Sequence, residues 1–172
     1  MNYSGLYHFD VLNGLGFRTS LFISGCDKQP KCRDCQNPQA WCHNYGELFT
    51  EAIQQEILQS LQHPAVRGLS LLGGEPSDNL SDGALFALLE AVKREAPDKD
   101  IWAWSGYTWE ILQQDALKKR FIAYLDVLID GEFIPERKDL NRPFGNSDNQ
   151  RVIDVQKSLA AGQIILLPLA EV

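Results

Sequence analysis

The chain has 172 residues, of which 44% are hydrophobic and 23% charged; this excludes a disordered or fibrous chain and predicts one globular domain over residues 1–172. Sixteen Lys and Arg against 23 Asp and Glu give a net charge of −7, so the basic face that a nucleic-acid partner requires is not expected. The longest apolar runs are far shorter than the ~20 residues that span a bilayer, and residues 1–10 lack a signal peptide's apolar stretch. We therefore expect no membrane partner and a cytoplasmic location.

Short apolar runs alternate with amphipathic stretches along the chain. In chain order, the pattern predicts a strand at 19–23, a helix at 50–61 capped by Thr50, a strand at 68–72 and a helix at 81–95 capped by Ser81. It continues with a strand at 101–104, a helix at 108–119, a strand at 127–129, a polar loop at 132–149, and weaker strands at 151–155 and 164–167. Repeated strand–helix units predict an α/β fold with a parallel sheet, in which ligands bind beyond the carboxyl ends of the strands.

All four cysteines lie within residues 26–42. Clustered thiols in a reducing compartment hold metal more often than they form disulfides. Cys26, Cys32 and Cys35 are spaced C-x5-C-x2-C, with cations nearby that favour deprotonated thiols. Two kinds of site fit this spacing: structural zinc with Cys42 or His43 as the fourth ligand, or a four-iron cluster with three thiolate ligands and one open iron.

A glycine-rich turn, Gly73-Gly74-Glu75-Pro76, directly follows the predicted strand at 68–72. Two glycines allow a ligand to approach the main chain closely, and the polar main-chain groups of such a turn suit the charged ends of an amino acid. Alone, the four residues are also typical of an ordinary turn. A three-cysteine loop after one strand, with this turn after the next, is a much rarer combination and favours the iron cluster over zinc.

These two features together resemble the radical S-adenosylmethionine (SAM) superfamily. Further segments resemble the glycyl-radical activating enzymes within it, namely 13–18 (NGLGFR), Trp41, 104–108 (WSGYT), 126–131 (DVLIDG) and 145–151 (GNSDNQR). The last segment is similar to the branch that acts on an anaerobic ribonucleoside-triphosphate reductase. The chain departs from the family pattern in three places: two extra residues lie between Cys26 and Cys32, Leu15 replaces a proline, and the aromatic residue beside Cys35 is absent.

The resemblance implies an open, partial β/α barrel of parallel strands with outer helices, in a single radical SAM domain. It implies a [4Fe-4S] cluster on Cys26, Cys32 and Cys35, in a cluster loop at 24–42, with SAM bound at the open iron. The residues that it assigns to SAM binding are Gly73, Gly74 and Glu75 of the turn, Asp34, Gln36 and Asn37 of the loop, and Ser105. No catalytic residue is implied beyond the cluster and SAM.

The implied function is reductive cleavage of SAM to a 5′-deoxyadenosyl radical, which generates a glycyl radical on the anaerobic ribonucleoside-triphosphate reductase. The implied partners are this reductase, as a protein substrate, and a flavodoxin- or ferredoxin-like electron donor. The chain is too short for a full barrel of ~250 residues, so we expect a broad mouth that admits a protein loop near Asn149 and Arg151. The alternatives are a radical SAM enzyme for a small molecule, similar to 7-carboxy-7-deazaguanine synthase, and a non-catalytic zinc-binding module.

Several other polar and aromatic residues are expected to have structural roles. At least one of Trp102 and Trp104 is expected in the core, because alternate residues of a strand face the same side. Cys42 is expected to be a packed or free thiol. The three histidines, His8, His43 and His63, show no partner at catalytic spacing and are predicted to be structural or exposed.

Overall fold

The computed structural model describes residues 1–139 and 141–168; residues 140 and 169–172 of the predicted domain lie outside the described residues. The strands are β1 (Asn2–Asp10), β2 (Phe17–Ser24), β3 (Glu47–Leu48), β4 (Val66–Gly73), β5 (Asp100–Trp104), β6 (Val127–Asp130) and β7 (Arg151–Asp154). The helices are α1 (Glu51–Leu61), α2 (Ala84–Glu95), α3 (Trp109–Leu112), α4 (Ala116–Ala123) and α5 (Val155–Ala161). All seven strands join one sheet in the order β3-β1-β2-β4-β5-β6-β7.

The centre of the sheet is parallel, and its edges are antiparallel. Parallel pairs join β2 to β4, β4 to β5 and β5 to β6, as the sequence predicts. At one edge β1 pairs antiparallel with β2 and β3, because β1 leads directly into β2 as a hairpin. At the other edge β7 is antiparallel to β6, since the described residues of their connection form one short helical turn, Pro135–Arg137, and no crossover α-helix. The fold is therefore mixed α/β, and the four parallel strands align their carboxyl ends.

The two faces of the sheet have different coverings. Alternate residues of a strand point to opposite faces. Ile101 and Leu128 belong to the main core, which packs the sheet against the helices, whereas Trp102 and Ile129 belong to a smaller cluster on the other face. Each fully buried large aliphatic side chain contributes about 1.5–3 kcal/mol, so the helix-covered face supplies most of the hydrophobic stabilisation. Trp102 is buried and Trp104 is half-buried on the same, largely helix-free face, so at least one of the two tryptophans lies in the core, as predicted.

The predicted helix caps differ from the observed ones. Thr50 occupies the N-cap position of α1, but its side chain makes no capping hydrogen bond. The second helix, α2, begins at Ala84, and Gly83, at φ +77°, takes the N-cap position predicted for Ser81. Asp82 supplies the missing acceptor, with its Oδ1 3.0 Å from the Ala84 nitrogen. Local hydrogen-bonding capacity identifies the region of a helix start, but not the residue that caps it.

Two other predicted elements need correction, and other observed elements were not predicted. The predicted helix at 108–119 is divided into α3 and α4, because the Asp115 carboxylate accepts hydrogen bonds from the nitrogens of Leu117 and Lys118, each at 2.9 Å, and starts a new helix. The predicted strand at 164–167 is an isolated bridge between Ile153 and Leu166. The sequence pattern missed α5 and also β1, whose pairing with β2 shifts register at two points. No helix in the described part of the chain is long and apolar enough to cross a membrane.

Candidate functional site

One cavity of about 410 Å³ lies where the carboxyl ends of β2, β4 and β5 meet. Since parallel neighbours end at the same edge of a sheet, the loops that follow these strands converge there. Nine of the ten predicted site residues line it, namely Cys26, Cys32, Cys35, Gln36, Asn37, Gly73, Gly74, Glu75 and Ser105. The tenth, Asp34, is exposed at φ +55° and is not among the lining residues.

The glycine turn packs directly against the start of the cysteine loop. The Gly74 nitrogen donates to the Ile23 carbonyl at 2.7 Å, and the Glu75 nitrogen donates to the Gly25 carbonyl at 2.8 Å. A Cβ on Gly73 would lie 2.4 Å from the Ile23 oxygen, and one on Gly74 would lie 2.4 Å from the Gly25 oxygen. Both positions therefore require glycine because two backbone segments touch there, and Gly73 also has φ +113°.

The carboxylate of Glu75 is wholly engaged inside the protein. The side chain is buried, and its Oε1 accepts hydrogen bonds from the Ser77 nitrogen at 3.1 Å and hydroxyl at 2.7 Å. Its Oε2 accepts from the Ser105 hydroxyl at 3.1 Å and the Gly106 nitrogen at 2.8 Å. Burial raises the pKa of Glu75, and these donors counteract that effect. Glu75 therefore joins the turn after β4 to the turn after β5, which fixes one wall of the cavity.

Burial raises the pKa of two of the thiols, Cys26 and Cys32. It raises the pKa of Cys26 to about 11, with the Glu75 carboxylate adding to the shift and Lys31 opposing it. Burial also raises the pKa of Cys32, which Lys28 counteracts. Because thiolates are the metal-binding form, any metal bound by these residues must displace protons.

The three thiols line one cavity but are not close enough together to hold a metal ion. Within residues 1–139 and 141–168, no three His, Cys, Asp or Glu side chains are grouped closely enough to hold a metal ion. The thiols nevertheless line one cavity, and the segment 28–36, which carries Cys32 and Cys35, makes no backbone hydrogen bond to a strand or helix of the described chain. Three thiolate donors on such a loop suit a [4Fe-4S] cluster with one iron free of protein ligands.

The two candidate fourth ligands of the zinc alternative are placed outside this cavity. Cys42 is exposed and is not among the lining residues. The ring of His43 has its Nδ1 3.1 Å from the Asn79 amide oxygen and its Nε2 2.9 Å from Asp27 Oδ1. Both ring nitrogens are therefore occupied by side-chain partners, which agrees with the structural role expected for this histidine.

Asn13, the first residue of the segment 13–18, forms a further part of the cavity wall that the sequence did not predict. Asn13 lines the cavity, and its carbonyl accepts a hydrogen bond from the Ser70 hydroxyl at 2.6 Å. Arg18 is fully buried beneath it, paired with Asp100 at 2.7 Å and 5.0 Å from the centre of the Trp102 ring. The signal in the sequence was the NGLGFR motif. The other unpredicted lining residues are Leu12, Phe22, Lys28, Trp41, Leu72, Trp104, Gly106, Gly131, Phe133, Asn146 and Gln150.

A second cavity, of about 480 Å³, adjoins the first. The two share Lys28, Gly106 and Gly131 in their walls. Asn149 and Arg151, which the sequence placed near the mouth, line the second cavity. The segment 149–151 therefore lines a cavity that adjoins the one with the cysteines.

The side chain of Arg151 is committed to partners within the protein. It donates from Nε to Asp130 Oδ1 at 3.0 Å and makes two bonds to Glu110, at 3.0 and 2.9 Å. Hydrogen bonding to Arg151 lowers the pKa of Glu110 to about 2. Asn149 likewise donates from Nδ2 to the Glu132 carbonyl at 2.8 Å. Both residues thus build the wall of the second cavity, and Asp130, only 1% exposed, supports it from below.

Comparison with known proteins places this chain in a family. Residues 12–153 match the model of the 4Fe-4S single cluster domain family. Relatives named anaerobic ribonucleoside-triphosphate reductase-activating protein include one from Haemophilus influenzae, 41% identical over 87% of this chain and 96% of the relative. The protein of that name from Escherichia coli strain K12 is 35% identical over 88% of this chain and 97% of its own, and that of Enterobacteria phage T4 is 37% identical over 88% and 93%.

No solved structure matches the chain significantly. The family match begins before the first cysteine and ends within β7, so it includes the cysteine loop, the glycine turn and every strand that lines the cavity. The chain belongs to the 4Fe-4S single cluster domain family and, within it, to the anaerobic ribonucleoside-triphosphate reductase-activating proteins.

Proposed function

We propose that this protein cleaves SAM reductively at a [4Fe-4S] cluster held by Cys26, Cys32 and Cys35, and thereby generates a glycyl radical on an anaerobic ribonucleoside-triphosphate reductase. The observation that carries the proposal is the meeting of all three cysteines and the glycine turn around one cavity. When bound, such a cluster supplies one electron and an open iron position for the amino and carboxylate groups of SAM. The electron comes from a flavodoxin- or ferredoxin-like donor in the cytoplasm.

The residues of the chain bind and orient the cofactor in this proposal. The polar side chains of Gln36, Asn37 and Ser105 line the cavity and offer hydrogen bonds to SAM. Glu75 acts through the turn that it fixes, since its oxygens are already bonded to Ser105 and Gly106. A single radical SAM domain, with the sheet as the wall of an open barrel, is part of the same proposal.

The shape of the site favours a protein substrate. Leu72, Trp104 and Phe133 give the first cavity an apolar wall, which excludes water from reactive species. Its volume of about 410 Å³ lies at the low end of the ~300–1,000 Å³ typical of ligand pockets, which leaves little room for a second small molecule beside SAM. The adjoining second cavity provides a path for a loop of the reductase.

The experiment that tests the function combines metal analysis with electron paramagnetic resonance. Anaerobically purified protein is expected to contain iron and sulfide, and with SAM, a reductant and the reductase it should yield a radical on a glycine of the reductase. Turnover of a small pterin-like molecule without any glycyl radical would support the small-molecule alternative, and zinc in place of iron would support the zinc module.

Cysteine variants identify the ligands in the same assay. Replacing Cys26, Cys32 or Cys35 by Ala is expected to abolish cluster assembly, because a three-thiolate site loses a ligand. Cys42→Ala is the matched control and should retain full iron content, since this thiol is exposed outside the cavity. Loss of metal from Cys42→Ala would contradict the proposed ligand set.

A further inference from the structure

Asp78 is a nearly buried carboxylate in the single helical turn Pro76–Asp78, which follows the glycine turn of the cavity wall. Its side chain is 4% exposed and pairs through Oδ1 with the Lys118 ammonium group of α4. Its Oδ2 accepts hydrogen bonds from the Asp27 nitrogen at 2.7 Å and from the Tyr107 hydroxyl at 3.2 Å. Lys118 also lies 3.9 Å from the centre of the Tyr107 ring, which closes the group.

Asp78 holds the backbone after Cys26, and Asn79 and Glu75 hold the backbone before it. Asn79 donates from Nδ2 to the Gly25 carbonyl at 3.1 Å, and the Glu75 nitrogen donates to the same carbonyl at 2.8 Å. The residues before and after Cys26 are therefore both bonded to the short segment 75–79. The nitrogen of Cys26 itself donates to the Trp41 carbonyl at 3.2 Å.

The other two thiols are held very differently. Cys32 and Cys35 lie on the segment 28–36, whose backbone makes no hydrogen bond to a strand or helix in the described part of the chain. Its ties to the rest of the protein include ion pairs of Lys28 with Glu132 and of Arg33 with Glu136, the latter between exposed side chains. The Lys31 ammonium group also donates to the Cys26 carbonyl. Exposed pairs such as Arg33–Glu136 contribute only about 0–1 kcal/mol, so this segment, which side chains alone hold within the described residues, rearranges more readily than the backbone around Cys26.

We propose that Asp78 is a positioning residue that holds Cys26 in place before the cluster binds. Cys32 and Cys35 then close onto the cluster with their loop. The inference rests on the proposed function, because it takes Cys26 as a cluster ligand. A binding site in which one ligand is already ordered loses less conformational entropy when the others close. Lys118 balances the charge of Asp78, because an unpaired buried carboxylate would destabilise the folded protein.

The first test measures the cluster-free protein, and so does not depend on iron. The amide hydrogen of Asp27 is expected to exchange at least tenfold faster in Asp78→Ala than in the unmodified chain, by hydrogen-exchange NMR. Asp98→Asn is the matched control, because the Asp98 side chain is 74% exposed and its ion pair among the described residues is with the adjacent Lys99. Exchange at Asp27 that is unchanged in folded Asp78→Ala would overturn the proposal.

The second test measures the reconstituted cluster. Asp78→Ala should release iron to a chelator at least tenfold faster than the unmodified protein, with Asp98→Asn unchanged. Asp78→Asn should raise the midpoint potential of the cluster and Lys118→Met should lower it, because removing a nearby negative charge favours the added electron and removing a positive one disfavours it. Potentials that stay fixed in both variants, or shift in the same direction, would show that Asp78 stabilises the fold without acting on the cluster site. That result would overturn the proposal.

Two further outcomes keep this inference separate from the proposed function. If the unmodified protein binds no iron, the proposed function fails. The exchange rate of the Asp27 amide hydrogen still decides whether Asp78 holds the backbone beside Cys26. If Asp78→Ala does not fold, Asp78→Asn replaces it in both assays. A threefold or greater increase in Asp27 exchange and iron release would support the proposal, and unchanged rates in this variant would overturn it.

Discussion

The Oε2 atom of Glu75 lies 2.8 Å from the backbone nitrogen of Gly106, so a carboxylate after one strand binds the turn after the neighbouring strand. Both turns line the cavity that contains the three cysteines. The bond therefore sets the spacing between two walls of the site. Because Glu75 is buried, no water competes for its oxygens.

We predict that Glu75→Gln destabilises the protein by about 1–3 kcal/mol, because the new amide group directs hydrogens at donors that need an acceptor. SAM binding should weaken as well, since Ser105 and Gly106 lose their fixed position. Chemical denaturation and SAM titration measure the two effects. Glu51→Gln, an exposed change in the first turn of α1, is the control and should leave both unchanged. An unchanged SAM affinity in folded Glu75→Gln would show that the bond between Glu75 and Gly106 does not shape the SAM site.

Gly74→Ala is expected to impair cluster loading as well as SAM binding. The added Cβ would lie 2.4 Å from the Gly25 oxygen and 2.5 Å from the Ala40 oxygen, so the start of the cysteine loop must move. Overpacking of this kind costs about 1–3 kcal/mol. Gly145→Ala is the control, because its Cβ would meet only ordinary contacts from 3.5 Å outward. Iron analysis measures cluster loading, and thermal unfolding measures stability. Full iron content in folded Gly74→Ala would contradict the close contact.

The alkylation of Cys26 in the cluster-free protein should report its raised pKa. Only the thiolate reacts, so the rate with iodoacetamide should rise about tenfold per pH unit and level off near pH 11. In urea the same thiol should level off near pH 9, and peptide mass spectrometry follows both. Because the unfolded chain loses this proton first, the free energy of unfolding should fall as the pH rises from about 9 to 11. A plateau near pH 9 in the folded protein would refute the burial argument.

Arg151→Ala is predicted to lower the free energy of unfolding by about 2 kcal/mol, because it leaves the buried carboxylate of Asp130 with one partner fewer. Arg94→Ala is the control and should cost under about 0.5 kcal/mol, since Arg94 is 68% exposed and pairs with its neighbour Glu95. Urea denaturation measures both. If Arg151→Ala keeps full stability but activates the reductase poorly, this side chain contacts the partner instead.

The sequence predicted the centre of the fold because the central strands carry the strongest local signal. The run at 68–72 is mostly apolar and is followed by two glycines, and the alternation at 101–104 places tryptophans on one face, so each pattern favours a strand. β1 was missed because two register shifts, around Gly5 and before Asp10, interrupt its alternation. Asp115 divided a predicted helix because its side chain competes locally for backbone donors.

The site was predictable where chain order alone determines proximity. The cysteine loop and the glycine turn follow neighbouring parallel strands, so their meeting follows from topology. The role of Glu75 was not predictable, because its partners Ser105 and Gly106 are distant in sequence. The same holds for Arg18, whose burial against Asp100 depends on how the hairpin between β1 and β2 folds over the sheet.

The freedom of the segment 28–36 bears on how such proteins are recognised from their sequences. No strand or helix of the described chain holds its backbone, so its length can change without disturbing the sheet. Lengthening a flexible loop is inexpensive, at about 0.6 kcal/mol per doubling. The two residues added between Cys26 and Cys32, relative to the family pattern, therefore fall where the fold tolerates insertion best. A search that fixes the interval between the first two cysteines will miss such chains, whereas one that fixes the order of the cysteine loop and the glycine turn will find them.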